Sequence, residues 1–515
     1  MKNVKQKNAW LWQNAEKVLI VAFFLTFTLN IRKVFLTPYS FFNGGFNEYM
    51  TMNFSWADLL MLTTIFIYTI KSLVSQFRQE KTTNSLLGNV IRNKSSVIRN
   101  YYSKNVSRET FYLLVFLGWI GLSIFWSQYR PISIYRFLTF VEIALFSFIA
   151  AKSLDNTKWL KLAFFAIIAN GLFQSLLVIA QFVHNGSLGI RLLGESIIGP
   201  NIDGVAKILI SGEKHIRAYG TLPHPNILAG FLLIPLFIII SEFVQRKLAL
   251  TSSRPSPYQG EGGDNSPLLY KERARVRSEN VPHETFLRFI PRWVLFAILL
   301  ITGSGFLLTF SRSAFLGLFV GLAIYFIGVA YMQPLHRIFK NNFKLLASSI
   351  IVLIFTIILL LTNTSFFSNQ SLQERTLYQN VSYETFLKHS LAGVGVGQFV
   401  MNEYQNHPNL ESWQYQPVHN IYLLVFSELG IVGLTFFLLW IFLIMEWGIS
   451  KNRNTDLLRS LLLTRLYICC IISSFLFIAF FDHYFWDIKL GTIVFALPII
   501  ILALAMNSKK CSTND

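Results

Sequence analysis

Runs of about 20 apolar residues recur along the whole chain, and this recurrence limits the folds open to it more than any other feature. A bilayer core about 30 Å thick takes roughly 20 residues of helix to cross. Inside it, backbone polar groups must be satisfied within the segment or within a closed barrel. Twelve runs of suitable length are read at 16–34, 56–71, 111–127, 134–152, 160–183, 227–245, 293–310, 314–331, 344–362, 420–446, 466–482 and 487–507. The expected fold class is an all-α polytopic membrane protein of about 12 transmembrane helices, a single integral membrane domain over 1–515. With 53% hydrophobic and 14% charged residues, 49 of them phenylalanine among the 515, a soluble multidomain protein is excluded.

The net charge of +19 does not point to nucleic acid, because the basic residues sit in short segments between the apolar runs. That is the positive-inside pattern. The amino terminus (Lys2, Lys5, Lys7), segment 71–110, segment 246–292, the links holding Arg337 and Lys340 and then Lys451, Arg453 and Arg459, and the tail with Lys509 and Lys510 are basic. All are expected to be cytoplasmic, both termini included, in the cytoplasmic (inner) membrane. The alternate links are poorer in basic residues; 363–419 holds only Arg375 and Lys388 against four glutamates. The basic start lacks a small-residue cleavage site and reads as a retained first helix. Cys469 and Cys470 fall in a span and Cys511 in the tail, so no extracytoplasmic disulfide is expected.

Two kinds of link interrupt the spans. Residues 248–290 contain "TSSRPSPYQGEGGDNSPLLYKERARVRSEN", rich in Pro, Gly and Ser and then charged, and are expected to be a disordered cytoplasmic insertion. The extracytoplasmic loops 184–226 and 363–419 differ: the second has amphipathic stretches suited to two or three short helices, with Gly393, Gly395 and Gly397 as breaks. Long structured loops on one face suggest a site there.

In "RAYGTLPHPN", Pro223 and Pro225 delay the next helix to Asn226, which can cap it, and this holds Arg217 just above the membrane. An arginine fork suits phosphate oxygens, although a headgroup-binding arginine would look the same. Arg312 occupies a tight turn in "TFSRSAFLG", and Arg375 lies in the large loop beside Glu374. Each has a bland alternative, a lipid-paired turn arginine and a solvated surface pair. The stretch "HNIYLLVFSELGIVG" starts with His419 and Asn420 and carries Glu428, Gly430 and Gly433 inside an apolar run. On a continuous helix starting at His419, both glycines fall near one stripe with the histidine and offer a close-packing face. Glu428 would lie roughly 13 Å down the axis and need a partner or a proton. His419 could accept a hydroxyl proton, or simply cap the span. His215, His224, His407 and His483 also fall on this face, but no metal-ligand spacing is present, so no metal and no cofactor are expected.

These residues resemble the signature of the bacterial O-antigen ligase and O-antigen polymerase family: His-Asn, nine residues, Gly, two residues, Gly, met by His419, Asn420, Gly430 and Gly433. "GTLPHPN" at 220–226, "SRSAFLG" at 311–317 and "ERTLYQN…LAGVGVGQF" at 374–399 are similar to that family's segments in the same order, over roughly 110–505. The resemblance implies a GT-C-like fold with the large extracytoplasmic helical loop before helix 10. It implies a metal-independent, inverting glycosyltransferase that takes a glycan from an undecaprenyl-diphosphate donor and passes it to an acceptor hydroxyl of a glycan or lipid. His419 would then be catalytic, Arg217, Arg375 and Arg312 would bind the diphosphate, and Asn420, Glu428, Gly430 and Gly433 would be supporting. A ligase acting on a lipid A core and a polymerase extending the carrier-bound glycan both fit. A transporter would need charge at several span centres, where only Glu428 and Glu142 stand out.

Overall fold

The computed structural model describes residues 2–83, 107–154, 157–252, 287, 289–332, 369–449 and 458–507. Among them are fourteen α-helices: α1 (Lys2–Thr26), α2 (Trp56–Thr83), α3 (Arg108–Ser123), α4 (Arg130–Ser153), α5 (Thr157–His184), α6 (Pro225–Ser252), α7 (Arg292–Leu307), α8 (Arg312–Met332), α9 (Asn369–His389), α10 (Phe399–Asn406), α11 (Ile421–Ile449), α12 (Leu458–Ile478), α13 (Tyr484–Asp487) and α14 (Lys489–Asn507). Three short antiparallel strand pairs lie between helices: β1 (Arg32–Phe35) with β4 (Met52–Ser55), β2 (Phe41–Phe42) with β3 (Gly45–Phe46), and β5 (Lys207–Ile210) with β6 (Glu213–Ile216).

Six helices, α2, α4, α5, α6, α8 and α11, are long and apolar enough to cross a membrane, and α7, α12 and α14 contain shorter apolar helices. With α1 and α3 they fall on the expected spans, giving a mostly helical, polytopic membrane protein. The expected span 344–362 lies outside the described residues, as do most of segment 71–110 and of the insertion 248–290.

The first span differs from expectation. Helix α1 stops at Thr26 and the chain re-forms as β1 at Arg32. Trp56 donates its backbone N–H to the Ile31 carbonyl at 2.9 Å, and Arg32 pairs with Glu48 across the loop. Cross-chain pairing therefore wins over helical continuation in "NIRKVF".

Helix α6 is the axis. Of its most apolar window 83% is buried, as a helix hydrophobic all round requires, and α5, α7, α8, α12 and α14 all pack on it. Beside it, α8 presents Gly317, Gly321 and Gly328 to α12. A Cβ on Gly321 would sit 2.1 Å from Ser474 Oγ, so the spacing of small residues sets how closely these helices approach.

Candidate functional site

The predicted arginine segment is suspended from α5. Asn170, Gln174 and Gln181 line one side of that helix and are buried. Gln174 donates to Thr221 Oγ1 at 2.7 Å and accepts from the Thr221 N–H at 2.9 Å. Gln181 accepts from the backbone of Tyr219 and Gly220 and donates to the Gly220 carbonyl. Thr221 Oγ1 in turn donates to the Thr28 carbonyl at 2.7 Å. A buried loop is tolerated only when its backbone groups are paired, and two glutamine amides do that here.

Helix α6 starts at Pro225 rather than Asn226. The expected Asn226 cap is replaced: His224 Nδ1 accepts the Asn226 backbone N–H at 3.2 Å. The Asn226 side chain is freed to bridge two charges, accepting from an Arg217 Nη2–H and donating to Asp482 Oδ2 at 2.6 Å. Arg217 also donates from Nε to the Thr309 carbonyl, 2.8 Å away in the turn between α7 and α8. Burial lowers the Arg217 pKa to about 10, with the charge of Arg312 acting in the same direction. Arg217 remains a cation at neutral pH.

Arg312 opens α8, and Arg375 is exposed near the start of α9. The Arg375 charge acts on Arg312, His419 and Asp482, and the Arg312 charge acts on Arg217. The three arginines, distant in sequence, thus share one end of the bundle.

His419 sits one residue outside the cap of α11. Asn420 is that cap, its Oδ1 accepting from the Leu423 N–H at 3.1 Å. One turn beyond Arg375, Tyr378 stacks on the His419 ring, centroids 5.8 Å apart and planes at 11°. The His483 ring meets His419 edge to face at 4.7 Å. His419 Nδ1 is buried and makes no hydrogen bond of good geometry. Burial holds the His419 imidazole well below its usual range, and the charges of His483, Arg375 and His224 act in the same sense. Lost solvation thus favours the neutral form of the ring. His224 is pushed down to about 3 by burial and then by Arg217 and His483.

The supporting residues require a correction. Helix α11 begins at Ile421 and is broken at Gly430, which takes φ 68° and ψ −173°. His419, Gly430 and Gly433 therefore do not share a stripe of one continuous helix. The glycine loop before α10 docks into the break: Val394 N–H donates to the Ser427 carbonyl at 3.0 Å, Gly395 N–H to the Glu428 carbonyl at 2.8 Å, and Ile431 N–H to the Ser390 carbonyl at 2.9 Å. Carbonyls released by the break are satisfied by a segment some 35 residues earlier. Gly433 does give close packing, a Cβ there lying 3.1 Å from Trp119. Glu428 is buried and accepts from Trp486 Nε1 at 2.8 Å, so its partner is another helix and not His419.

Sequence reasoning noted His483 only as one of the histidines on this face and overlooked the two acids of "DHYFWD", Asp482 to Asp487. His483 Nδ1 lies 2.8 and 2.9 Å from the two oxygens of Asp487, four residues on. Its backbone N–H donates to Asp482 Oδ1 at 3.0 Å. Burial disfavours the charged ring, yet Asp487, with Asp482 behind it, holds His483 above the usual imidazole range. Two acids and a histidine at an apolar span's end were the available signal.

Fold and site together describe a polytopic membrane protein with arginines, histidines and buried acids gathered at one end of its helices. Residues 296–438 match the family model described as O-antigen ligase. Over that stretch the chain is similar to the O-antigen ligase family, which supports a ligase or polymerase type of function in general. The matched stretch contains Arg312, Arg375, His419, Asn420, Glu428, Gly430 and Gly433, whereas Arg217 and His483 lie outside it. No curated protein matches the sequence.

Proposed function

We propose that the protein is an O-antigen ligase-like, GT-C-type glycosyltransferase acting at the outer face of the cytoplasmic membrane. It takes a glycan from an undecaprenyl-diphosphate donor and gives it to an acceptor hydroxyl, such as that of a lipid A core. The observation that carries this reading is that Arg217, Arg312 and Arg375 share the end of the bundle that holds His419, the Arg375 charge acting on the histidine and on Arg312, and the Arg312 charge on Arg217. His419 takes the proton of the acceptor hydroxyl, whose oxygen attacks the anomeric carbon from the side opposite the diphosphate. The new glycosidic bond forms as the bond to the diphosphate breaks, which inverts the anomeric centre. The arginines stabilise the charge gathering on the leaving diphosphate, the place where fixed cations contribute most. A hydroxyl oriented for in-line attack loses little further entropy on reaction.

The test is transfer in vitro from a defined undecaprenyl-diphosphate glycan, with divalent ions chelated. The wild-type protein is expected to transfer, and His419→Ala and Arg217→Ala to lose about 10²-fold or more in rate while inserting normally. Wild-type rates in His419→Ala would remove the base assignment, and an absolute need for added metal would overturn the mechanism. A ladder of repeat lengths made from lipid-linked repeat units alone would assign the polymerase reaction instead.

A further inference from the structure

The sequence resemblance leaves "DHYFWD" without a role, and the structure brings it directly against His419. Helix α13 is anchored by Trp486, buried among Phe116, Phe140 and Phe437 and hydrogen-bonded to Glu428. That anchor fixes His483, because the residues are three apart on one turn. Both oxygens of Asp487 are within 2.9 Å of His483 Nδ1. An ionised carboxylate only accepts hydrogen bonds, so Nδ1 carries the proton. Asp487 is held in turn by an Arg136 guanidinium, which donates to its backbone carbonyl. Tyr49 packs against the His483 ring with centroids 5.7 Å apart, and His419 meets it edge to face at 4.7 Å.

We infer that Asp487 and His483 form a fixed carboxylate–imidazolium pair whose positive ring faces His419, keeps that ring in its proton-accepting form and sets its orientation. His483 is thus a positioning residue for the transfer, and the inference rests on the reading of His419 as the base. The charged and titratable groups around the two rings are Asp482 and Asp487 on the α13 segment, Tyr49 before β4, Arg136 on α4, Arg375 and Tyr378 on α9, and His224 before α6. Of these, His483 is the cation in ring contact with His419. A cation at this distance disfavours a second positive charge even at an effective dielectric constant of about 20. Asp487, one group further away, acts on His419 mainly by keeping His483 charged.

The test is independent of substrate. The detergent-solubilised full chain is treated with diethyl pyrocarbonate, which acylates neutral imidazole, between about pH 5 and pH 9, and His419 modification is read by peptide mass spectrometry. In the wild type, His419 is expected to stay reactive to the acid end of the range. In His483→Gln its reactivity should fall off about one pH unit higher, nearer the ordinary imidazole range of about 6.5. Asp487→Asn should move the midpoint in the same direction by less, and it serves alone if His483→Gln does not insert. Unchanged midpoints in the variants would overturn the inference, as would a uniform change in reactivity at every pH, which is what altered reagent access alone gives. If the proposed function were wrong instead, His419→Ala would transfer normally while these midpoints still shifted.

Discussion

Glu403 shows how burial alone sets the charge of one side chain. It lies on α10 with no exposed surface, beside an aromatic cluster in which Phe42 stacks on Tyr404 and meets Tyr415 edge to face. Burial lifts its carboxyl to about 9, against the opposing pull of the Gln416 backbone N–H. A folded-state pKa raised above the unfolded value of about 4.3 means that the native protein retains a proton the unfolded chain releases. Its stability contribution is complete below about pH 4.3 and is lost as pH rises through about 9. Glu403→Gln should therefore melt close to wild type near pH 5 and several degrees above it near pH 9. An equal gap at both pH values would show that Glu403 is not protonated in the fold. The residues read as chemical from sequence were those whose type is unusual beside an apolar run, such as His419 and Arg217. Gln174 and Gln181 escaped notice, and Asn226 was read only as a helix cap, because an amide's importance lies in its partner, which sequence spacing does not reveal.

At the scale of elements, the break in α11 matters most. A Cβ at Gly430 would lie 2.2 Å from the Leu391 carbonyl oxygen, and its φ of 68° with extended ψ is a region open to glycine. Gly430→Ala should cost about 3 kcal/mol or more, adding backbone strain to a clash that neither backbone can relieve. Gly118→Ala on α3, where a Cβ would meet no atom within 4 Å, should leave the melting temperature nearly unchanged. Equal effects of the two substitutions would contradict the broken helix. Hydropathy located α11 correctly because burial in lipid is a property of composition over about 20 residues. It missed the break because the backbone groups freed around Gly430 are paired by the segment Ser390 to Gly395, and only the fold places that loop there.

At the scale of the whole molecule, loop 27–55, the α3–α4 and α7–α8 turns, loop 185–224, the α9–α10 region and the α12–α14 connection meet at one end. Hydrogen bonds join them: Thr221 to Thr28, Arg217 to Thr309, Ser133 to Val396, and Lys489 to Asn53. By the positive-inside rule, the basic links predict that the other end is cytoplasmic. A cysteine placed at Gln416 should therefore be labelled by an impermeant maleimide added outside intact cells, and reporters fused to both termini should read as cytoplasmic. Labelling of position 416 from the cytoplasm alone would invert the topology and remove the extracytoplasmic site.

The sequence by itself determined the class of this protein, a helical membrane domain, because apolar length and charge bias are local properties of the chain, and its His-Asn signature is what proposes a site at one face. It also named His419 and the three arginines. The tertiary structure decided what surrounds them: that Asn226 bridges Arg217 to Asp482, that Glu428 answers to Trp486, and that His483, held by Asp487, stands against His419. Those pairings join residues up to 256 positions apart, and the desolvation and neighbouring charges that set their protonation exist only once the helices have packed.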